Sequence, residues 1–219
     1  MPTIRKINLY NKEVYRNILS HVRNFNFITV HQCANMFYFT SKNDDYEARR
    51  TLNRLVKSGQ LKKYRQGFDS QSIYYMYDYP NVGKHEIILM DFYSLFIRYG
   101  MNIEHFQTKE LEFCDRKIRL DGLIEFSFPE DNNIYSLLIE VDCTHPTTIE
   151  RLEKLYDSGE VQEMFKDKIG AEDFLPDIVI ITDRPNRKQS EYFNIIYLDH
   201  KLSDFVNKIY LEFGKLVET

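Results

Sequence analysis

The sequence predicts a mixed α+β and α/β chain in two domains, residues 1–80 and 84–219. Three observations predict it. Three short helical patterns in succession stop at Gly59 and lead into a basic two-strand pattern. From residue 84 the order changes to helix, three strands, helix, strand, strand, helix. Two of those strands, around residues 118–124 and 138–142, are apolar runs that nonetheless carry Asp121, Glu140 and Asp142.

At 219 residues, 43% of them hydrophobic and 15% aromatic, the chain can fill two small cores. No apolar run approaches the roughly 20 residues that span a bilayer, and residues 1–12 are polar and mixed, so neither a membrane segment nor a leader peptide is expected. Cys33, Cys114 and Cys143 are odd in number, widely spaced and form no CxxC pair, which points to reduced thiols in a cytoplasmic protein without structural zinc. The net charge of −4 conceals an asymmetry: residues 1–80 hold 13 Lys and Arg against 6 Asp and Glu, and the remainder 16 against 27. A basic first third suits a polyanionic partner.

In the first domain, Val14, Ile18, Leu19 and Val22 fall on one helical face, with Asn11 as a candidate cap. Thr29 caps a second short helix that turns Val30, Cys33, Ala34 and Phe37 inward. A third helix is expected over residues 44–57, with Ala48, Leu52 and Leu55 inward and Arg49, Arg50, Asn53, Arg54 and Lys57 elsewhere on its surface. Arg and Asn are the side chains that reach guanine and adenine edges bidentately. After Gly59, residues 61–65 and 73–77 form two strands, the first bearing Lys62, Lys63 and Arg65, around the loop 66–70. Three helices, a glycine stop and a basic hairpin in that order read as a winged helix-turn-helix for double-stranded DNA. The plainer alternative is a solvated charged helix beside an ordinary hairpin.

Residues 78–83 read as a linker, because Pro80 and Gly83 punctuate them. A heavily apolar helix follows over 84–99, then a strand over 106–113 and the two acid-bearing strands. A hairpin centred between Asp131 and Asn132 sets Asp121 opposite Asp142, with Glu140 on the same face. Buried carboxylates need a partner, a proton or a metal, and three on one sheet face suit a hard divalent cation such as Mg2+ or Mn2+. Otherwise Asp121 pairs with Arg119 or Arg151 and Asp142 caps the next helix. Thr147 or Thr148 caps a long helix to about residue 168, residues 177–183 form a buried strand of the kind found in parallel sheets, residues 195–198 form another, and an amphipathic helix over 201–217 serves as core cover or a homodimer surface. His145, three residues after Asp142, is either part of a transition-metal site or, with no second His or Cys near it in sequence, a surface histidine. His85 reaches the acid cluster if the first helix of this domain lies over that sheet face, His31 and His200 look ordinary, and no phosphate loop or nucleophile motif is present.

The αβββαβ order, with Asp121 on one strand and Glu140-Val141-Asp142 on the next, resembles the restriction-endonuclease-like fold (PD-(D/E)XK type). The resemblance implies metal-binding acids at Asp121 and Glu140, with Asp142 standing where that family has a lysine. It leaves Lys154 on the following helix as the substitute cation and Glu86 as the acid of the first helix. Taken together, Arg49-Arg50-Thr-Leu52, Arg54-Leu55, Ser58-Gly59-Gln-Leu61, Tyr75, His85, Leu120-Asp121-Gly122, Ile139-Glu140-Val-Asp142 and Lys154-Leu-Tyr156 resemble the replication–relaxation family of plasmids and other mobile elements. That resemblance implies DNA binding in replication or in DNA relaxation and transfer by conjugation, with a relaxase or replication initiator as partner. Two functions follow: a DNA-binding accessory or regulatory protein with a nuclease-like domain lacking activity, or a Mg-dependent deoxyribonuclease targeted by its winged helix.

Overall fold

The structure, a computed structural model, describes residues 4–65, 71–109, 111–131, 133–169, 174–185 and 187–214, with backbone alone for 4–11 and 167–169. It divides into two compact units, Met1–Arg98 and Tyr99–Thr219.

The first unit contains α1 (Ile4–Phe25), α2 (Val30–Phe37), α3 (Asp44–Lys57), β1 (Lys62–Arg65), β2 (Ser72–Tyr75) and α4 (Lys84–Arg98). Helix α1 begins by Ile4, so Asn11 lies within it rather than capping it, and it runs on until Asn26 takes a left-handed φ of 70°. The expected apolar faces form one core of Val14, Ile18, Val22, Cys33, Ala34, Ala48, Leu52 and Leu55. Thr29 begins α2 with a reciprocal cap: its side chain accepts from Gln32 N, and its own N–H donates to Gln32 Oε1 at 2.9 Å. Helix α3 stops at Gly59 (φ +75°), and the chain turns into an antiparallel β1–β2 pair with Tyr64 opposite Ile73. Ile28 and Tyr74 exchange two backbone hydrogen bonds of 2.9 Å, which stitch β2 to the segment between α1 and α2 and bury Tyr74. The expected loop at 66–70 lies outside the described residues.

Helix α4 was expected to open the second domain, and instead it belongs to the first unit. Its apolar residues do not say which partner they serve; its polar ones do. Gln32 Nε2 donates to Asp91 Oδ1 at 2.8 Å and to Ile87 O at 3.3 Å. Asn35 Nδ2 donates to Ser94 Oγ at 2.9 Å, and Arg98 Nη1 to Asn35 Oδ1 and Asp44 Oδ2. These groups are buried or half-buried, and leaving any of them unpaired costs about 1–3 kcal/mol, so the seam fixes α4 against α2 and α3.

The second unit is α+β. Its strands are β3 (Asn102–Gln107), β4 (Glu112–Phe113), β5 (Ile118–Arg119), β6 (Gly122–Ser127), β7 (Tyr135–Val141), β8 (Asp177–Ile181) and β9 (Ile195–Leu198). The main sheet has the order β3-β6-β7-β8-β9: an antiparallel meander, then two strands parallel to β7. The strand expected over 106–113 is divided. Its first part is the end of β3, and its last two residues pair with β5 in a separate hairpin that turns through three positive-φ residues, Cys114, Asp115 and Arg116. The long helix expected from 147 to 168 is two, α5 (Ile149–Ser158) and α6 (Glu160–Ile169), parted by Gly159 at φ +70°. Both halves bury Leu152, Leu155, Val161 and Phe165 under Leu123, Leu138, Ile178, Ile180 and Ile195 of the sheet. At about 1.5–3 kcal/mol for each buried side chain, that packing outweighs the cost of the break. The closing segment starts late, because Leu202 has φ 57°, and winds as a π-helix (Val206–Tyr210) into α7 (Leu211–Gly214). Phe213 packs its ring on Phe126 and Tyr135 at 5.6 and 5.5 Å, so this segment covers part of the opposite sheet face. Residues 215–217 of the expected helix lie outside the described ones.

The β6–β7 register differs from the expected one by two residues. Gly122 faces Ile139, and one step further sets Asp121 against Glu140 rather than Asp142. The turn is wound on Asp131: its N–H donates to Phe128 O at 3.0 Å, Oδ1 accepts from Asn133 N at 3.0 Å, and Oδ2 accepts from the Tyr135 hydroxyl at 2.7 Å. An even shift leaves every side chain on its expected face. Asn132 lies outside the described residues.

Candidate functional site

Alternation along β7 puts Leu138, Glu140 and, just past its end, Asp142 on the face toward α5. There Glu140 and Asp142 are 4% and 6% exposed. Thr147, immediately before the Thr148 cap of α5, bridges them: its hydroxyl lies 2.7 Å from Asp142 Oδ1 and 3.3 Å from Glu140 Oε2, and its N–H donates to Asp142 Oδ1 at 2.8 Å. Asp121 Oδ2 accepts from Val141 N at 2.8 Å. Arg151, one turn into α5, brings Nη1 to 3.3 Å from Glu140 Oε1 and 3.4 Å from Oε2, and its Nη2 donates to Arg119 O. The Oε1 contact is an ion pair without hydrogen-bond geometry, and that oxygen has no hydrogen-bond partner.

Burial pushes the Glu140 carboxyl from its ordinary 4.5 up to about 8; Asp121 adds to the rise, and Arg151 and Thr147 oppose it. The cation on Glu140 is thus Arg151, while Lys154 stands exposed further along α5. Asp142 is held by the segment leading into the next helix, close to the capping role considered for it. Glu86 lies in the first unit, where its Oε2 accepts from Gly83 N at 2.8 Å. The donor set does not fit a hard divalent ion, because a guanidinium sits on Glu140 and backbone or hydroxyl donors occupy an oxygen of each aspartate. Among the described residues no group of three or more His, Cys, Asp and Glu is placed to hold a metal.

His200, which reads as ordinary in the sequence, approaches the same strand end. Its Nδ1 is 2.7 Å from Asp183 Oδ2 and its Nε2 2.8 Å from the Asp142 carbonyl. Both partners are acceptors, so the two contacts form together only on a ring with a proton on each nitrogen. Arg151 was a candidate partner for Asp121 and instead pairs with Glu140, whereas His200 could not be placed from spacing, since it reaches the strand end from a different element.

A second candidate surface lies on the first unit. A cavity of about 580 Å³ opens between the start of α2, α3 and the hairpin, and its lining includes His31, Asp45, Arg49, Lys63 and Arg65. Three cations against one acid favour an anionic ligand. The other expected DNA-contacting residues do not line it. Arg50 is exposed and paired with Glu47 at 2.5 Å; Arg54 is exposed, and a hydrogen bond with Tyr15 holds its pKa above the ordinary value. Asn53 accepts from the Tyr74 hydroxyl at 3.3 Å. Lys57 is exposed, and Lys62 projects to the other hairpin face.

No protein-family model matches the chain, and no curated protein does. Among solved structures, that of restriction endonuclease FokI is similar over 88% of this chain and 42% of that one, at 11% identity and a TM-score of 0.29. This chain therefore spans less than half of that structure, and at such a score the likeness carries no weight. No helix among the described residues is long and apolar enough to cross a membrane.

Proposed function

We propose that this chain is a DNA-binding accessory or regulatory protein, whose first unit is a winged helix-turn-helix and whose second is a nuclease-like scaffold lacking hydrolytic activity. The observation that carries the reading is the cavity where Arg49 of α3 meets Lys63 and Arg65 of β1. A helix in the major groove with a basic hairpin on the flanking phosphates uses those residues together. The β-meander followed by a parallel crossover, with acids at the end of β7, supports the nuclease-like scaffold. The Arg151 guanidinium and the Thr147 bridge support its inactivity. A place on a plasmid or other mobile element, with a relaxase or replication initiator as partner, rests on the motif resemblance alone.

The test is retardation and cleavage of duplex DNA by the full chain, with Mg2+, with Mn2+ and with chelator. Retardation without cleavage is expected in every condition. Arg49→Ala should weaken binding by about 1–3 kcal/mol if it reads a base. Lys63→Ala should lower the slope of log affinity against log salt by about one. Unchanged binding in both variants removes the interface. Metal-dependent cleavage abolished by Glu140→Ala makes the chain a deoxyribonuclease instead.

A further inference from the structure

The hairpin has a second face that the duplex-binding reading does not use. Lys63 and Arg65 share the face of buried Tyr74, whose hydroxyl reaches Asn53 of α3; by alternation Lys62 and Tyr64 lie on the other face, with Tyr75 opposite Lys62 and buried Ile73 opposite Tyr64, and Tyr64 also borders the cavity. On that outer face Tyr64, Tyr75 and Tyr79 form a ring cluster. Tyr64 and Tyr79 lie 4.1 Å apart at 35°, and Tyr75 meets both edge-on at 5.7 and 5.9 Å. The Tyr64 hydroxyl donates to Pro80 O, which anchors one ring, while Tyr79 remains 63% exposed and Tyr77 60% exposed. Lys62 Nζ sits 5.9 Å over the Tyr75 ring and donates to Tyr77 O at 2.8 Å.

Exposed aromatic rings with cations among them are the surface that binds single-stranded nucleic acid, because every base offers a face to stack on and every phosphate a charge to neutralise. Protein interfaces are rich in tyrosine as well but depleted in lysine, and here Lys62 lies among the rings. We propose that the outer face of the hairpin is a stacking platform for unpaired bases, so that the first unit engages a junction between duplex and single-stranded DNA. This rests on the duplex-binding reading: the inner face and α3 hold the paired arm, and the Tyr64–Tyr75–Tyr79 cluster takes the strand that leaves it.

The test uses the full chain and three dye-labelled DNAs: a blunt duplex, the same duplex with an unpaired thymidine arm, and the thymidine strand alone. The armed duplex should bind more tightly than the blunt one. Tyr79→Ala should reduce the affinity for the armed duplex by about 5- to 150-fold, the range for one lost stacking contact, and leave the blunt duplex unchanged. Tyr79→Phe keeps the ring and should keep the preference. The chain has no tryptophan, so Tyr79→Trp supplies a single reporter whose emission should be quenched by the armed duplex and not by the blunt one. Equal affinity of the native chain for armed and blunt duplexes, with blunt binding intact, overturns this inference alone; so does an equal loss on both in Tyr79→Ala. Failure to bind any of the three DNAs overturns the duplex-binding reading itself.

Discussion

Glu140 is a buried carboxyl group beside Asp121, Asp142 and Thr147, with one half-exposed guanidinium to offset it. Its pKa in the folded chain is raised to about 8 from an ordinary 4.5, so between those values the folded state holds a proton that the unfolded state has lost. Stability contributed by this group is present below about 4.5 and is lost as pH rises toward 8. Asp91 in the first unit acts in the same direction, its burial raising it to about 6, so the wild-type profile alone does not isolate Glu140. The difference between wild type and Glu140→Gln does. Urea denaturation across pH 5–9 should show the variant gaining relative stability as pH rises; a constant difference would mean that Glu140 titrates as an exposed acid does. The acids and their shared face were legible in the sequence, because alternation fixes a side chain's direction whatever the register. Their counter-charge was legible only in part: Arg151 was a candidate, but for Asp121, and it reaches Glu140 through the way α5 lies on the sheet.

Among the elements, α1 to α3, the Gly59 stop, the hairpin strands and the parallel β8 were legible, each from a run of spaced apolar residues with its own punctuation. The elements read incorrectly were those where backbone conformation overrode the pattern. Gly159 interrupts an amphipathic run that would otherwise pass for one helix, and Leu202 delays another by adopting a left-handed φ without being glycine. At Gly159 a Cβ would meet nothing within 4 Å, so a substitution there tests conformation alone. Gly159→Ala should cost about 1–2 kcal/mol through the left-handed geometry, and Gly159→Asn less, as read by chemical denaturation. Equal stability of Gly159→Ala and wild type would mean that α5 and α6 join without that conformation.

For the whole molecule, the charge asymmetry survives the moved boundary. Residues 81–98 add Lys84 and Arg98 against Glu86 and Asp91, so the first unit keeps its excess of seven positive charges and the second its eleven negative ones. The polyanion-binding reading therefore does not depend on where the first unit ends. The division itself was not legible, because the Pro80–Gly83 punctuation is the strongest break in the chain and yet α4 follows it into the first unit. The stitch between Ile28 and Tyr74 has a kinetic consequence. It closes a loop of chain containing all of α2 and α3, so its entropy cost is large until those helices have gathered. The hairpin is then the last part of the first unit to lock and the first to release. Tyr74→Leu should accelerate unfolding in stopped-flow measurements while leaving the folding limb almost unmoved, and the hairpin strands would open on a timescale of their own, ahead of the helices that carry them.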